Sequence, residues 1–348
     1  MESHHHEDRN GVVDGSRSAL IFLGTGCSSA VPNALCLIQP SDPPCHVCFQ
    51  SMSLPPDRNP NYRCNTSLLI DYCHSDGKHY YILIDVGKNF REQVLRWFTY
   101  HKIPQVDSII LTHEHADAVL GLDDIRAVQP YSPTNDIDPT PVYLSQYAME
   151  SIAMKFPYLV RKKLIEGQEV RRVAQIEWNI IEEQVDKPFV ASGLKFIPLP
   201  VMHGEDYISL GFLFGENCRV AYISDVSRFP SSTEYVISKT GAGQLDLLIL
   251  DTLYQVSQCQ APHLVPRSMW NGIFFRSATK SKGSHNVHFC LPQTLDALKR
   301  ICPRKALLIG MTHDFDHHKD NEFLAEWSKR EGISVQLAHD GLRIPVDL

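Results

Sequence analysis

Short apolar runs alternate with turn residues along this chain. Runs rich in Leu, Ile, Val and Phe predict strands at Leu20–Gly24, Ser67–Asp71, Tyr80–Asp85, Ser108–Thr112, Phe196–Leu199, Ile208–Phe214, Val220–Ser224, Leu247–Asp251, Ala306–Gly310 and Val335–Ala338. Apolar positions recur at helical spacing in Phe90–Thr99, Gln146–Phe156, Leu291–Ile301 and Asn321–Arg330. Pro and Gly punctuate the gaps, as in Val31-Pro32 and Asp42-Pro43-Pro44. Strands crowd the early part, then strands and helices alternate. That order predicts a layered α/β or α+β body with loops gathered along one sheet edge. No repeat, heptad or linker interrupts it. One domain is expected over residues 19–348, preceded by a flexible polar tail at 1–18 and carrying an insertion from about Cys36 to Cys64.

Composition narrows the function classes. A hydrophobic content of 43% and a charged content of 21% over 348 residues are those of an ordinary globular protein with ample core. The formal charge of -7 argues against a nucleic-acid partner, because phosphate binding needs clustered Lys and Arg. Arg161-Lys162-Lys163 and Arg171-Arg172 are local exceptions, read as solvated helix faces. No apolar run approaches the roughly 20 residues that span a bilayer, so no membrane partner is expected. The acidic, polar start lacks the apolar core of a secretory signal, and ten irregularly spaced cysteines do not suit a disulfide scaffold. A reducing, cytoplasmic location follows as an expectation. Leu23-Gly24-Thr25-Gly26 hints at a dinucleotide loop, but Ser29 replaces the third glycine and no βαβ helix follows.

The most informative stretch is Leu111-Thr112-His113-Glu114-His115-Ala116-Asp117-Ala118. An apolar run stops at two histidines and an aspartate on alternating positions, which an extended or turning backbone sends to one side. Two imidazoles and a carboxylate converging there suit a hydrolytic zinc or manganese ion. Further candidates stand just beyond other strands: His203 after Phe196–Leu199, Asp225 after Val220, and His313 after Ala306–Gly310.

In this order the residues resemble the metallo-β-lactamase superfamily, whose pattern is His-x-His-x-Asp-His, then a lone His, a bridging Asp and a final His. The resemblance matches His113, His115, Asp117, His203, Asp225 and His313 to metal ligands, and Asp85 to a supporting strand-end carboxylate. It implies an α+β fold, a four-layer αβ/βα sandwich of two mixed sheets flanked by helices. Ala118 departs from it, standing where the pattern has a further histidine. A second ion would keep only Asp117, Asp225 and His313, so one or two catalytic Zn or Mn ions are expected, the second bound more weakly.

Cys36, Cys45 and Cys48 form C-x₈-C-x₂-C, three corners of a tetrahedral zinc site. A clustered-cysteine insertion at this point resembles the phosphoribosyl cyclic phosphate phosphodiesterase family, in which a histidine just past the last catalytic ligand closes a structural zinc. His317 is the expected fourth corner, with His318 and His46 as alternatives. The resemblance implies hydrolysis of a small cyclic or nucleotide-like phosphodiester, with Asp117 and His285 as the candidate catalytic residues and His285 supplying a proton to the leaving oxygen. A small-molecule substrate is expected, and a homodimer is left open. Two other readings are a tRNase Z-like nuclease, which would need a basic arm, and a binding module that has lost its second metal.

Overall fold

Alternation along each strand builds the layers of this fold. In the computed structural model, which describes residues 17–55, 58–132, 137–160, 173–255 and 287–348, two sheets of seven strands face each other. The first sheet holds β1 (Ser18–Gly24), β2 (Ser67–Cys73), β3 (His79–Ile84), β4 (Ser108–Ile110), β5 (Thr140–Leu144) and β6 (Ile176–Ile180). The second holds β7 (Phe189–Ala191), β8 (Leu194–Met202), β9 (Ile208–Phe214), β10 (Val220–Ile223), β11 (Leu247–Asp251), β12 (Lys305–Ile309) and β13 (Ser334–Leu337). The last strand, β14 (Arg343–Val346), crosses back to pair with β1, giving spatial orders β14-β1-β2-β3-β4-β5-β6 and β13-β12-β11-β10-β9-β8-β7.

Both sheets are mixed. From β3 to β6 and from β10 to β13 the neighbours run parallel, and the remaining pairs are antiparallel. On β1, Leu20 and Phe22 enter the core between the sheets, while Ile21 and Leu23 enter the core on the outer face. The inter-sheet core joins Ile82, Ile84 and Ile110 to Phe196, Phe212, Tyr222 and Ile249. Ala148 and Ile152 of the helix Gln146–Lys155 cover the first sheet, and the helices Leu291–Ile301 and His317–Glu331 cover the second. Helix–sheet–sheet–helix layering of this kind is the expected α+β sandwich.

The helix Leu291–Ile301 shows how sequence produces this packing. Leu291, Leu295, Leu298 and Ile301 recur at helical spacing and are all buried. The Cys290 thiol and the Gln293 side chain close a reciprocal cap at the start, and Cys302 ends the helix in the left-handed region at φ 56.

The differences from the sequence reading have local causes. β5, β6, β7 and β14 are not among the predicted strands; they are short, and Pro141 and Pro345 interrupt their apolar pattern. β8 runs on to Met202 through Pro198 and Pro200, both accommodated in its pairing with β9. The predicted helix Phe90–Thr99 instead contains a wider π-turn at Val94–Phe98, whose adjacent Trp97 and Phe98 are both buried. The N-terminal tail as far as residue 16 and the basic runs at 161–163 and 171–172 lie outside the described residues. No helix among the described residues is long and apolar enough to cross a membrane.

The parallel strands point their carboxyl ends one way, so the loops after β3, β4, β10, β11 and β12 gather at one edge. The insertion leaves the sheet between β1 and β2 and carries two helices, Ala34–Ile38 and His46–Ser53. A bridge from Gly26 to Asn65 closes its base, and one from Gly26 to Met311 ties that base to the loop after β12.

Candidate metal centres

Asp85 follows β3 with φ 62, a left-handed conformation uncommon for a residue with a Cβ. There its buried carboxylate accepts the Thr112 backbone N–H at 2.8 Å and the Thr112 hydroxyl at 2.7 Å. The loop after β4 is thereby fixed. Since the Thr112 hydroxyl donates to Asp85, it accepts from His113 Nδ1 at 2.8 Å, which leaves the His113 Nε2 lone pair for another partner. Nε2 is buried and has no hydrogen-bond partner.

Two more imidazoles are oriented the same way. His203 Nδ1 donates to the Val287 carbonyl at 2.7 Å. His288 Nδ1 lies 2.7 Å from Asp251 Oδ2 at the end of β11. The result is two overlapping groups of candidate ligand atoms, each with its atoms within 4.8 Å of one another: His113, His115 and His203; and His203, Asp225 and His288. The His288 Nε2 to Asp225 Oδ1 distance is 3.7 Å. Outer hydrogen bonds that fix ring tautomer and direction are how proteins aim histidine ligands.

The electrostatics suit a cation. Burial pushes His113 down to about 3 and also lowers His203, keeping both rings neutral with a lone pair to give. Burial pushes the Asp85 carboxyl well up, and burial together with Asp225 raises Asp117. For Asp251, burial outweighs the neighbouring His288 and lifts the carboxyl to about 7. So many buried carboxylates, with a buried nitrogen lacking a partner, describe a site short of positive charge. A divalent ion fits it.

Placement departs from several of the sequence expectations. His313 does not join this group. Its Nδ1 lies 3.3 Å from Cys45 Sγ and 3.5 Å from Cys36 Sγ, and with Cys48 these form a third candidate metal group. The cause is the turn after β12. Gly310 has φ 78, and a Cβ there would stand 2.3 Å from Asp251 Oδ1, so only glycine allows this path. Met311 then pairs with Gly26, and the buried Arg63 guanidinium donates to the Thr312 and Phe315 carbonyls. These contacts bolt His313 to the insertion.

His317, the expected fourth corner, stands apart from that cysteine group. It begins the helix His317–Glu331, its backbone N–H donates to Asn61 Oδ1, and its ring Nε2 lies 3.1 Å from Asn321 Nδ2. Of the alternatives, His46 pairs with Asp316 at 3.6 Å, and the His318 ring sits 5.5 Å from that of His317. Asp117 stands outside the mutually close ligand atoms, near enough for Asp225 to raise its pKa. Ala118 is buried in the core outside the first sheet, and its carbonyl accepts the Val86 N–H. His285 lies outside the described residues.

His288 is the functional candidate that sequence reasoning missed. Backbone bonds from Phe289 N to Val226 O and from Leu253 N to Phe289 O clamp its segment between the loops after β10 and β11. Its only sequence signal was a histidine shortly before a Pro-led helix start. Burial opposes charge on His288, but Asp251, Asp225 and Asp117 outweigh it and lift its pKa to about 9.

Comparisons with known proteins bear on the family and the fold. The family model described as "Beta-lactamase superfamily domain" matches residues 80–311. A solved diphosphatase of the PhnP family is 27% identical, with a TM-score of 0.67 covering 95% of this chain and 99% of that one. Zinc-bound PqqB from Methylobacterium extorquens (16% identity, TM-score 0.65, covering 94% and 100%) and human tRNase Z, short form (13%, 0.54, 95% and 100%) share the fold. Among curated proteins, an octanoyltransferase of Porphyromonas gingivalis is 28% identical over 327 residues, 93% of this chain and 52% of the relative. The chain thus spans about half the length of that relative.

Proposed function

Since the chain belongs to the beta-lactamase superfamily, we propose that it is a metal-dependent phosphodiesterase acting on a small cyclic or nucleotide-like phosphodiester. The observation that carries this reading is the convergence of His113, His115 and His203 within 4.8 Å, with the buried His113 Nε2 lacking any other partner. These three residues and Asp225 would hold one zinc or manganese ion. Such an ion makes water nucleophilic near neutral pH and offsets charge that builds on phosphoryl oxygens.

We assign the proton-donor role to His288; His285, the candidate from the sequence, lies outside the described residues. Nε2 lies on the side away from Asp251, which favours the protonated ring, and where no ion takes it can deliver a proton to the leaving oxygen. Asp251 fixes the ring and stabilises its charge. A second ion at Asp117, Asp225 and His288 would displace the proton from His288 Nε2, so the donor role belongs to the one-ion state; that ligand set is also poorer because Ala118 gives none. Cys36, Cys45, Cys48 and His313 would hold a structural zinc that fastens the insertion to the loop after β12.

A second reading draws on the octanoyltransferase relative: the same centre could cleave an acyl thioester. One experiment tests both. Purified protein is analysed for metal content, then assayed with bis-p-nitrophenyl phosphate and an octanoyl thioester. Metal-dependent turnover of the phosphodiester is expected; turnover of the thioester alone, or a metal-loaded protein that cleaves neither, contradicts the proposal.

A further inference from the structure

Aromatic rings wall one side of the imidazole group. Tyr207, in the turn between β8 and β9, stacks on His115 at 5.0 Å with the planes 11° apart. It also meets His203 at 5.8 Å and His113 at 6.3 Å. Its hydroxyl donates to the Glu114 carboxylate, which is buried, while Lys155 Nζ donates to the Glu114 backbone carbonyl. A charge-assisted bond to a buried carboxylate holds the Tyr207 ring where it is.

Tyr147 extends this wall outward. It lies in the first turn of the helix Gln146–Lys155, where the Ser145 hydroxyl accepts the Ala148 N–H and fixes the backbone. Its ring meets Tyr207 at 6.0 Å and 69°, and 61% of the residue remains exposed. Single exposed aromatics are common. This one differs because it touches a ring that itself touches all three imidazoles.

We propose that Tyr147 and Tyr207 form a stacking subsite for a planar ring carried beside the scissile phosphodiester, so that base-bearing, nucleotide-like substrates are preferred to base-free sugar phosphates. This rests on the phosphodiesterase reading above. Ring centroids step outward by 5.0 Å from His115 to Tyr207 and by 6.0 Å from Tyr207 to Tyr147, so the aromatic wall begins at the imidazoles and runs away from them. Stacking on an aromatic face serves any base, because every base has a π-face. An acyl chain, by contrast, needs an enclosing apolar pocket, and the same turn carries the exposed Glu205 and Asp206.

The test compares adenosine 2′,3′-cyclic phosphate with the cyclic phosphate of methyl riboside, on metal-loaded wild type, Tyr147→Ala and Tyr147→Trp. Wild type is expected to favour the adenosine ester. In Tyr147→Ala the ratio of kcat/KM between the two esters should fall about tenfold, mainly through KM, and Tyr147→Trp should restore it. Saturation-transfer NMR with adenosine monophosphate should show adenine protons receiving magnetisation from wild type and not from Tyr147→Ala. Turnover of both esters with no preference, or a ratio indifferent to Tyr147→Ala, would overturn the subsite while leaving the phosphodiesterase reading standing. Failure to cleave either ester would overturn both.

Discussion

The two candidate metal centres are built from opposite chemistry. The cysteine group offers three sulfurs and one imidazole, four protein corners around one point, with Cys48 buried. The sheet-edge group offers imidazoles and a carboxylate, with His115 exposed on one flank. A closed tetrahedral set suits structure, while a set with an open side suits chemistry. Their resting protonation differs too. Burial holds His113 at about 3, already in its ligand form. Burial and neighbouring thiols push Cys48 up to about 12 and also raise Cys36. The His113 and His203 rings are ready for a cation at neutral pH; the thiol site becomes ready only as the cation displaces its protons.

The comparison can be broken first at His113. Replacing it with Ala should lower phosphodiester turnover by roughly a thousandfold or more, as for loss of a central catalytic group, while circular dichroism shows an unchanged fold. Turnover that survives would remove the catalytic assignment. Changing Cys45 and Cys48 together to Ser should release one zinc and lower the unfolding temperature in zinc-containing buffer. A structural zinc contributes folding energy directly, here on the order of several kcal/mol.

The protonation contrast gives a sharper test. Thiols whose pKa is raised bind protons that zinc must displace, so affinity at the cysteine group should rise with pH, by roughly tenfold per unit for each proton released. The His113 and His203 rings lose no proton on binding, so the ion they hold with His115 should respond less between pH 6 and 8, roughly the range in which an unperturbed His titrates. Competition with a chromophoric chelator at several pH values measures both slopes, and equal slopes would contradict the contrast.

Asp251→Asn removes the carboxylate behind His288 and should weaken turnover or metal retention by about 10–100-fold. Tyr207→Phe is the smallest change. It leaves the buried Glu114 carboxylate without its hydroxyl donor, a cost of about 1–3 kcal/mol visible in urea unfolding.

Much of the sheet-edge centre was legible because its signals are local. Alternation at His113, His115 and Asp117 and the strand-end positions of Asp85, His203 and Asp225 need only short stretches of sequence. What escaped depends on distant contacts. His288 acquires its meaning from Asp251, 37 positions earlier. The placement of His313 beside the cysteines, where His317 was expected, depends on a glycine turn and on the pairing of Met311 with Gly26, neither of which leaves a periodic trace. A layered α/β or α+β body followed from the apolar runs and the two-sheet sandwich from the family resemblance, whereas β6, with Glu177 and Asn179 among its apolar residues, was too short and mixed to register.

Cobalt substitution of His313→Ala and His288→Ala tests the division of ligands most directly. His313→Ala should lose sulfur-to-cobalt charge-transfer intensity and keep the sheet-edge ion; His288→Ala should keep the full sulfur band. Loss of the sheet-edge ion from His313→Ala with the sulfur band intact would contradict the assignment.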